Sequence, residues 1–449
     1  MRHYEELLAI GDRVVGWARD GEQIEAVLVD ERETEIRVYE GEIESFTAAE
    51  SAGIGIRVVQ GPRQGMAYAG TLDDDVLAET LAEARDNATF ASADEWVGLA
   101  EPDGVPITEL NLYDDRVEDF DTDAKIAMAI ELERAITAGD ARIIGVESAD
   151  YVDAVAHGAV VSSTGIRQGG RDSGCYLAAY SLAAEGDDTQ TGFGYSVARA
   201  PQDLDVAVAA AEAVDRATRL LGATQAPSER VTVVFDPFVT AQFLSIIGGI
   251  LDAEAVLKRR SLFADRLGDS VATPGFTLVD DPLDPEAFTA TDTDGEGLAA
   301  RRNVLIADGR LEMFMHNAYT ARRTGTSSTG SAVRGFNSTP GVGAHALMLM
   351  PGTRSQAELI ASIGDGVLIQ GVAGLHSGVN PVSGDFSTGA EGLRIRGGAI
   401  AEPIREITIA STLQRMLLDV VEIGGDLERL PMSASGVSLV VADVTMSGE

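Results

Sequence analysis

Cysteine is almost missing from this chain: Cys175 is the only one in 449 residues. One thiol cannot form an internal disulfide, and a zinc site built from several cysteines is excluded with it. Lysine is nearly as scarce, since of the 34 basic residues only Lys125 and Lys258 are lysines. No apolar run approaches the ~18 residues that a membrane-spanning helix requires. The five histidines, His3, His157, His316, His345 and His376, are scattered, and no two lie within a helical turn of each other. Zinc chemistry of the HExxH kind needs two imidazoles about one turn apart with a carboxylate beside them; that pattern is absent. The first residues, Met1-Arg2-His3-Tyr4-Glu5-Glu6, turn acidic at once and lack the apolar stretch of a signal peptide. A cytoplasmic location is therefore expected.

What the chain has in excess is acid. Aspartate and glutamate number 72 against 34 bases, a formal net charge of −38. Such a field repels phosphate backbones and argues against a nucleic-acid partner, with Lys258-Arg259-Arg260 and Arg322-Arg323 as local exceptions. An acidic, lysine-poor surface resembles that of proteins working in concentrated salt. Hydrophobic residues make up 45% of the chain, enough for a large core, and the length suggests two domains.

The apolar spacing predicts an amphipathic helix over Tyr4–Asp20, strands over Ile24–Asp30, Thr34–Tyr39, Gly53–Val59 and Gly65–Tyr68, and helices over 73–90 and 121–139. Residues 98–116, with two prolines and several acids, read as a linker. Residues 141–198 read as an antiparallel meander with one face covered by helices, followed by an alanine-rich helix over Leu204–Gly222. Gln225-Ala226-Pro227-Ser228 then breaks the pattern. The expected domains are 1–227, an N-terminal α+β unit, and 228–449, a glycine-rich unit dominated by β-structure. The second opens with a strand, Val231–Phe235, and an apolar helix from about Val239 to Val256; short strands follow, with one late helix over Thr412–Ile423. No βαβ alternation is present, so the fold class is α+β with mixed and antiparallel sheets and interspersed helices.

Most catalytic patterns fail on inspection. Asp292-Thr293-Asp294-Gly295-Glu296 hints at a calcium loop, but Ala290 and Arg301 occupy the positions where its first and last acids belong. Thr339-Pro340-Gly341-Val342-Gly343 lacks the GK[ST] of a phosphate loop. The densest polar cluster runs from His376 to Ser387. A triad of His376, Ser383 and Asp385 is conceivable there, yet no G-x-S-x-G elbow accompanies it. Adjacent His376 and Ser377 on an extended segment would point to opposite faces. A tight Gly/Asn/Pro turn is the structural alternative. A third is the edge of a groove that holds extended peptide, with His376, Ser377, Asn380, Ser383 and Asp385 as candidate contacts.

That cluster, Gly-Leu-His-Ser-Gly-Val-Asn-Pro-Val-Ser-Gly-Asp-Phe-Ser over 374–387, with Gly392, Ile395 and Gly397-Gly398 after it, resembles the glycine-rich C-terminal core of the TldD/TldE (PmbA) family. Similar agreement comes from Val233-Val234-Phe235-Asp236-Pro237, Lys258-Arg259-Arg260-Ser261, Asp294-Gly295-Glu296-Gly297, Tyr319-Thr320-Ala321-Arg322 and Ile423-Gly424-Gly425-Asp426-Leu427. In the N-terminal half, Tyr39–Ser45 and Gly53–Val58 fit as well, so the resemblance spans nearly the whole chain in order. In that family the TldD-type subunit holds zinc through a helical HExxxH and a later cysteine, whereas the TldE/PmbA-type subunit lacks them and pairs with TldD. Laid on this sequence, the two histidines fall near Ser245 and Ile250 and the glutamate near Ile246. The resemblance thus implies a subunit with no catalytic residues, no metal and no cofactor. Its implied partner is a TldD-like zinc protease in a heterodimer, or a second copy of itself, with unfolded or modified peptide as substrate. A self-sufficient homodimeric hydrolase using the His376–Asp385 region and a non-proteolytic regulatory protein of the gyrase-modulator type stand as alternatives.

Overall fold

The computed structural model describes residues 1–449. Strands β1 (Glu22–Tyr39), β2 (Glu42–Gln60), β3 (Arg63–Ala69), β4 (Ile143–Ser162), β5 (Arg167–Glu185) and β6 (Asp188–Ala198) form one antiparallel sheet in the order β3-β2-β1-β4-β5-β6. Along β5 buried and half-buried residues alternate, as a sheet with one covered face requires. The cover is four helices in two groups. Helices α1 (Tyr4–Val15) and α2 (Asp74–Phe90) bury Leu7, Leu8, Val14, Leu77 and Leu81 against Ile24, Ile54 and Ile56. Helices α3 (Thr122–Gly139) and α4 (Val206–Thr218) bury Leu132, Ile136, Ala209 and Ala213 against Ile36, Tyr151 and Leu177. The alanines of α4 let its backbone ride directly on β6, where a Cβ at Gly192 or Gly194 would overlap the Ala213 or Ala209 carbonyl.

Two sequence expectations change here. The separate strands expected over Ile24–Asp30 and Thr34–Tyr39 are one, because Glu31, Arg32 and Glu33 pair with Ser51–Ala49 on one side and Ala156–Ala154 on the other. Central pairing on both edges overrides the low strand propensity of a charged run. The late helix expected over Thr412–Ile423 stops after Leu413–Leu418, and Val420–Ile423 is a strand.

The second half begins with β7 (Glu229–Phe235), α5 (Pro237–Ile250) and α6 (Ala253–Leu257). Short strands β8 (Leu278–Asp280), β9 (Asn303–Ala307) and β10 (Arg310–Leu311), then α7 (Ala318–Thr324), β11 (Ala332–Val333), β12 (Gly341–Val342) and β13 (Leu347–Leu349), form the glycine-rich middle. After α8 (Gln356–Ser362) come β14 (Asp365–Ala373), the single turn α9 (Leu375–Gly378), β15 (Asp385–Arg396), β16 (Ala399–Thr412), α10 (Leu413–Leu418), β17 (Val420–Ile423) and β18 (Leu439–Ser447). The main sheet here runs β16-β15-β14-β7-β18-β17; β14 lies parallel to β7, and β16 also pairs with β18, closing a five-stranded circuit. Its core includes Val233, Phe235, Phe243, Leu244, Ile369, Ile409, Leu439 and Met446. The class is α+β: the second large sheet is mixed, and the first large sheet, the four-stranded β10-β9-β8-β13 and the pair β11-β12 are antiparallel.

The two halves lock together where the loop after β11 lies on β2. A Cβ at Gly55 would overlap the Phe336 carbonyl oxygen, and one at Gly53 would press 2.5 Å from the Phe336 ring. The Gly53-Ile54-Gly55 pattern therefore makes a seat for the other half of the chain.

Candidate functional site

The cluster singled out by sequence, 374–387, links β14 to β15; its polar side chains His376, Ser377, Asn380, Ser383 and Asp385 are exposed, while Phe386 is buried in the core and Leu375 and Val379 are half-buried against it. Gly374 takes the left-handed conformation (φ 78°) that starts the turn α9. The Asn380 side-chain oxygen accepts from the Val382 and Ser383 backbone N–H groups at 2.9 and 3.1 Å, an Asx turn. The Ser383 hydroxyl donates to Asp385 at 2.6 Å, and the Ser377 hydroxyl donates to the Gly374 carbonyl at 3.2 Å. Ser383 and Asp385 are thus brought together, while His376 makes no hydrogen bond to either. The backbone edges of β15 are already taken: β16 pairs along one side from Asp385, and Val379 bridges Phe386 on the other before β14 takes over at Gly389. Contact with peptide here would use side chains and loop backbone, since no free strand edge is offered.

Helix α5 starts at the Asp236 cap, whose side chain accepts from Phe238 N–H at 3.1 Å. Its sequence, PFVTAQFLSIIGGI, contains no histidine, cysteine or carboxylate. Phe243, Leu244, Ile247 and Ile250 enter the core. The Ser245 hydroxyl turns back to the Ala241 carbonyl at 2.9 Å, and the open stripe of the helix is Ser245 and Gly249.

Around the cap of α5 lies a charged seam that sequence reading missed. Arg216, from α4, donates to Glu212 at 2.9 Å and to Asp236 at 3.4 Å, and stacks 4.4 Å from the Phe193 ring centroid. Burial, followed by the Asp236 and Glu212 charges, pushes the Glu428 carboxyl up to about 7. An acid whose pKa rises on folding stabilises the protein below its unfolded pKa and loses that contribution as pH climbs to the folded value. Glu428→Gln is accordingly expected to raise the melting temperature at pH 8 and leave it nearly unchanged at pH 4. Equal shifts at both pH values would show that Glu428 is not the titrating group.

A second seam joins the halves through buried charge. Arg57 on β2 donates to Glu25 on β1 at 2.9 and 3.1 Å and approaches Glu296 at 3.6 Å, and Arg334 also pairs with Glu25. Glu296 accepts from the Ala318 N–H at 2.8 Å. Asp294 accepts from the Glu296, Leu298 and Ala332 N–H groups at 3.0, 3.0 and 3.1 Å. The Asp294–Gly297 motif is thus a structural hub, holding the N-terminal end of α7 and the loop beside β11 against the first sheet.

Family models for the PmbA/TldA metallopeptidases match the chain in order: domain 1 over residues 24–88, the central domain over 115–221 and the C-terminal domain over 228–448. The chain belongs to the PmbA/TldD family. The metalloprotease PmbA of Escherichia coli O157:H7 is 25% identical over 412 residues, covering 91% of this chain and 88% of that protein. A metalloprotease of Methanothermobacter thermautotrophicus is 32% identical over 234 residues, 51% of each chain. A Thermotoga maritima structure described as a modulator of a DNA gyrase superposes with a TM-score of 0.90 at 26% identity over 98% of this chain and all of that one. TldE from Thermococcus kodakarensis shares the fold, with a TM-score of 0.89 at 23% identity over 99% of both chains.

The PmbA/TldD metallopeptidase name implies a metal, and the donor set here does not fit one. No three His, Cys, Asp or Glu side chains converge on a common point anywhere in the chain. Cys175 is buried on β5, its thiol pushed up to about 12 chiefly by burial, which holds it in the neutral, weakly ligating form. Ile250 is 2% exposed within an apolar core.

Proposed function

We propose that this chain is the metal-free TldE/PmbA-type subunit of a cytoplasmic TldD/TldE-type metalloprotease complex that cleaves unfolded or modified peptides. The observation that carries it is α5, where Ser245, Ile246 and Ile250 stand at the positions to which the family resemblance assigns zinc chemistry. Activated water needs a metal or a general base to form it, and α5 offers neither. What such a chain contributes is the second wall of a chamber and a docking surface for the zinc-bearing subunit.

A free strand edge favours assembly. β3 pairs with β2 only from Ile54 to Gln60, so Glu42–Gly53 has β1 on one side and nothing on the other. Residues 42–51 are exposed throughout, with Ile43 and Phe46 45% and 46% exposed. An unpaired edge that carries exposed Ile43 and Phe46 among Glu42, Glu44 and Glu50 can pair with another chain. Mixed with a TldD-type protein, this chain is expected to co-elute as a heterodimer on size exclusion in high salt. The double substitution Ile43→Asp, Phe46→Asp is expected to weaken that association at least ~10-fold. Failure of the two chains to associate at micromolar concentration would overturn the subunit assignment; association unaffected by the substitutions would move the contact elsewhere.

A further inference from the structure

The two faces of the unpaired stretch of β2 differ, and its register with β1 shows how. On one face Ile36 lies opposite Phe46 and Val38 opposite Ile43, because the register shifts between Arg37 and Val38. Ile36 and Val38 belong to the core under α3 and α4. Exposed Ile43 and Phe46 therefore carry that apolar layer outward to the edge and leave it uncovered.

The other face is acidic. Thr34 and Ile36 are buried toward the helices, so Glu31, Glu33 and Glu35, one residue out of phase, line up on the opposite side. They lie beside Ser51, Ala49 and Thr47 of β2. Glu33, Glu35 and the three β2 residues are exposed, and Glu31 is half-buried. The two arginines of β1 are already engaged, Arg32 by Glu118 at 2.6 Å and Arg37 by Asp150 at 2.7 Å. Burial, then the Glu33 charge, raises the Glu31 pKa, as crowding by a like charge does.

A strand added to β2 would lie ~5 Å beyond it and ~10 Å from β1. On the acidic face only Thr47, Ala49 and Ser51 would stand between its side chains and the glutamates. A lysine or arginine spans such small residues and meets a glutamate on the far side; a short side chain does not. Residues of one face recur ~7 Å apart on both strands, so three successive cations can match Glu31, Glu33 and Glu35. The intervening positions fall on the side of Ile43 and Phe46 and suit apolar residues. A second copy of this chain would bring its own Glu42, Glu44 and Glu50 to the edge, which favours a different chain as partner.

We propose that residues 42–53 of β2 take up an amphipathic strand with lysine or arginine at alternate positions, selected by Glu31, Glu33 and Glu35. The proposal rests on the reading of this edge as the docking surface and adds the chemistry of the strand that docks.

Fluorescence anisotropy on the purified full chain in about 0.5 M KCl tests it with two labelled eight-residue peptides. One alternates lysine and valine; the other has the same composition with its lysines in one block. The alternating peptide is expected to bind at least ~10-fold more tightly and to protect the amides of residues 42–53 from hydrogen exchange. The triple substitution Glu31→Gln, Glu33→Gln, Glu35→Gln should remove that advantage. The same change in charge at exposed Glu79, Glu83 and Glu95 should leave it intact, which separates the row from the net charge. Equal binding of the two peptides, no protection over 42–53, or equal loss in both variants would overturn the proposal. The first two results need only the parent chain, so a misfolded variant cannot hide them. Association with a TldD-type protein is measured separately. If the chains associate and the peptides do not discriminate, the strand's chemistry is misread and the subunit assignment stands. If the peptides discriminate and the chains stay apart, the edge takes a basic strand from another partner and the subunit assignment falls.

Discussion

Replacing Arg57 with methionine is expected to cost roughly 3–5 kcal/mol of stability, one of the largest losses available to a single substitution in this chain. Arg57 is 3% exposed and lies between two buried carboxylates, Glu25 and Glu296. Methionine keeps most of the volume, so little of the loss is cavity. The dominant effect is electrostatic: Glu25 keeps Arg334 as its only close cation, and Glu296 is left among backbone donors with no ion-pair partner within 4 Å. Burial already raises the Glu296 pKa against the opposing pull of Arg57, so in the variant it takes up a proton more readily. That release sets the limit on the loss. The double substitution Arg57→Met, Glu296→Gln should recover part of it, since neighbouring charges couple. Urea unfolding at constant high salt checks this; a loss below ~1 kcal/mol would mean that water reaches the network and that it is not what joins the halves.

Raising KCl from 0.1 to 2 M is expected to increase the melting temperature by on the order of 10 °C. Two electrostatic effects oppose each other. Ion pairs such as Arg116–Asp203 and Arg396–Glu402 weaken on screening, but exposed pairs contribute only ~0–1 kcal/mol each, and their atoms are in contact, where screening is least effective. Repulsion among the unpaired acids behind the net charge of −38 acts over longer distances. The Debye length falls from ~10 Å at 0.1 M to ~3 Å at 1 M, which removes most of that repulsion. Substituting an uncharged osmolyte at matched osmolality separates screening from surface exclusion. A melting temperature flat across this range would show that the acidic surface carries no folding penalty.

The long helices of the N-terminal half and the α+β class were legible because periodicity and caps are local, whereas the short α7 and α8 were not expected. Thr122–Gly139 follows Asp121, whose side chain caps the helix, and Gly374 and Asn380 mark the turn that joins β14 to β15. β1 was split in the sequence because Glu31-Arg32-Glu33 looks like a turn until its two neighbouring strands are in place. Nothing local marks Arg57 either: it sits in an apolar strand, and its partners arrive from positions 25, 296 and 334. The one-residue bulge at Gln370 was not legible either, because a bulge leaves no periodic trace when the strand is buried on both faces. The residue types on α5 could be read from the sequence alone, whereas the surroundings of those side chains required the coordinates.

The most direct measurement is metal content and peptidase activity in high salt, first on this chain alone and then with the TldD-type protein. The expected result is substoichiometric zinc and no cleavage alone, with cleavage in the mixture above the partner's own rate. One zinc per chain, or chelator-sensitive cleavage by this chain alone, would contradict the assignment and require a metal site that its side chains do not form here.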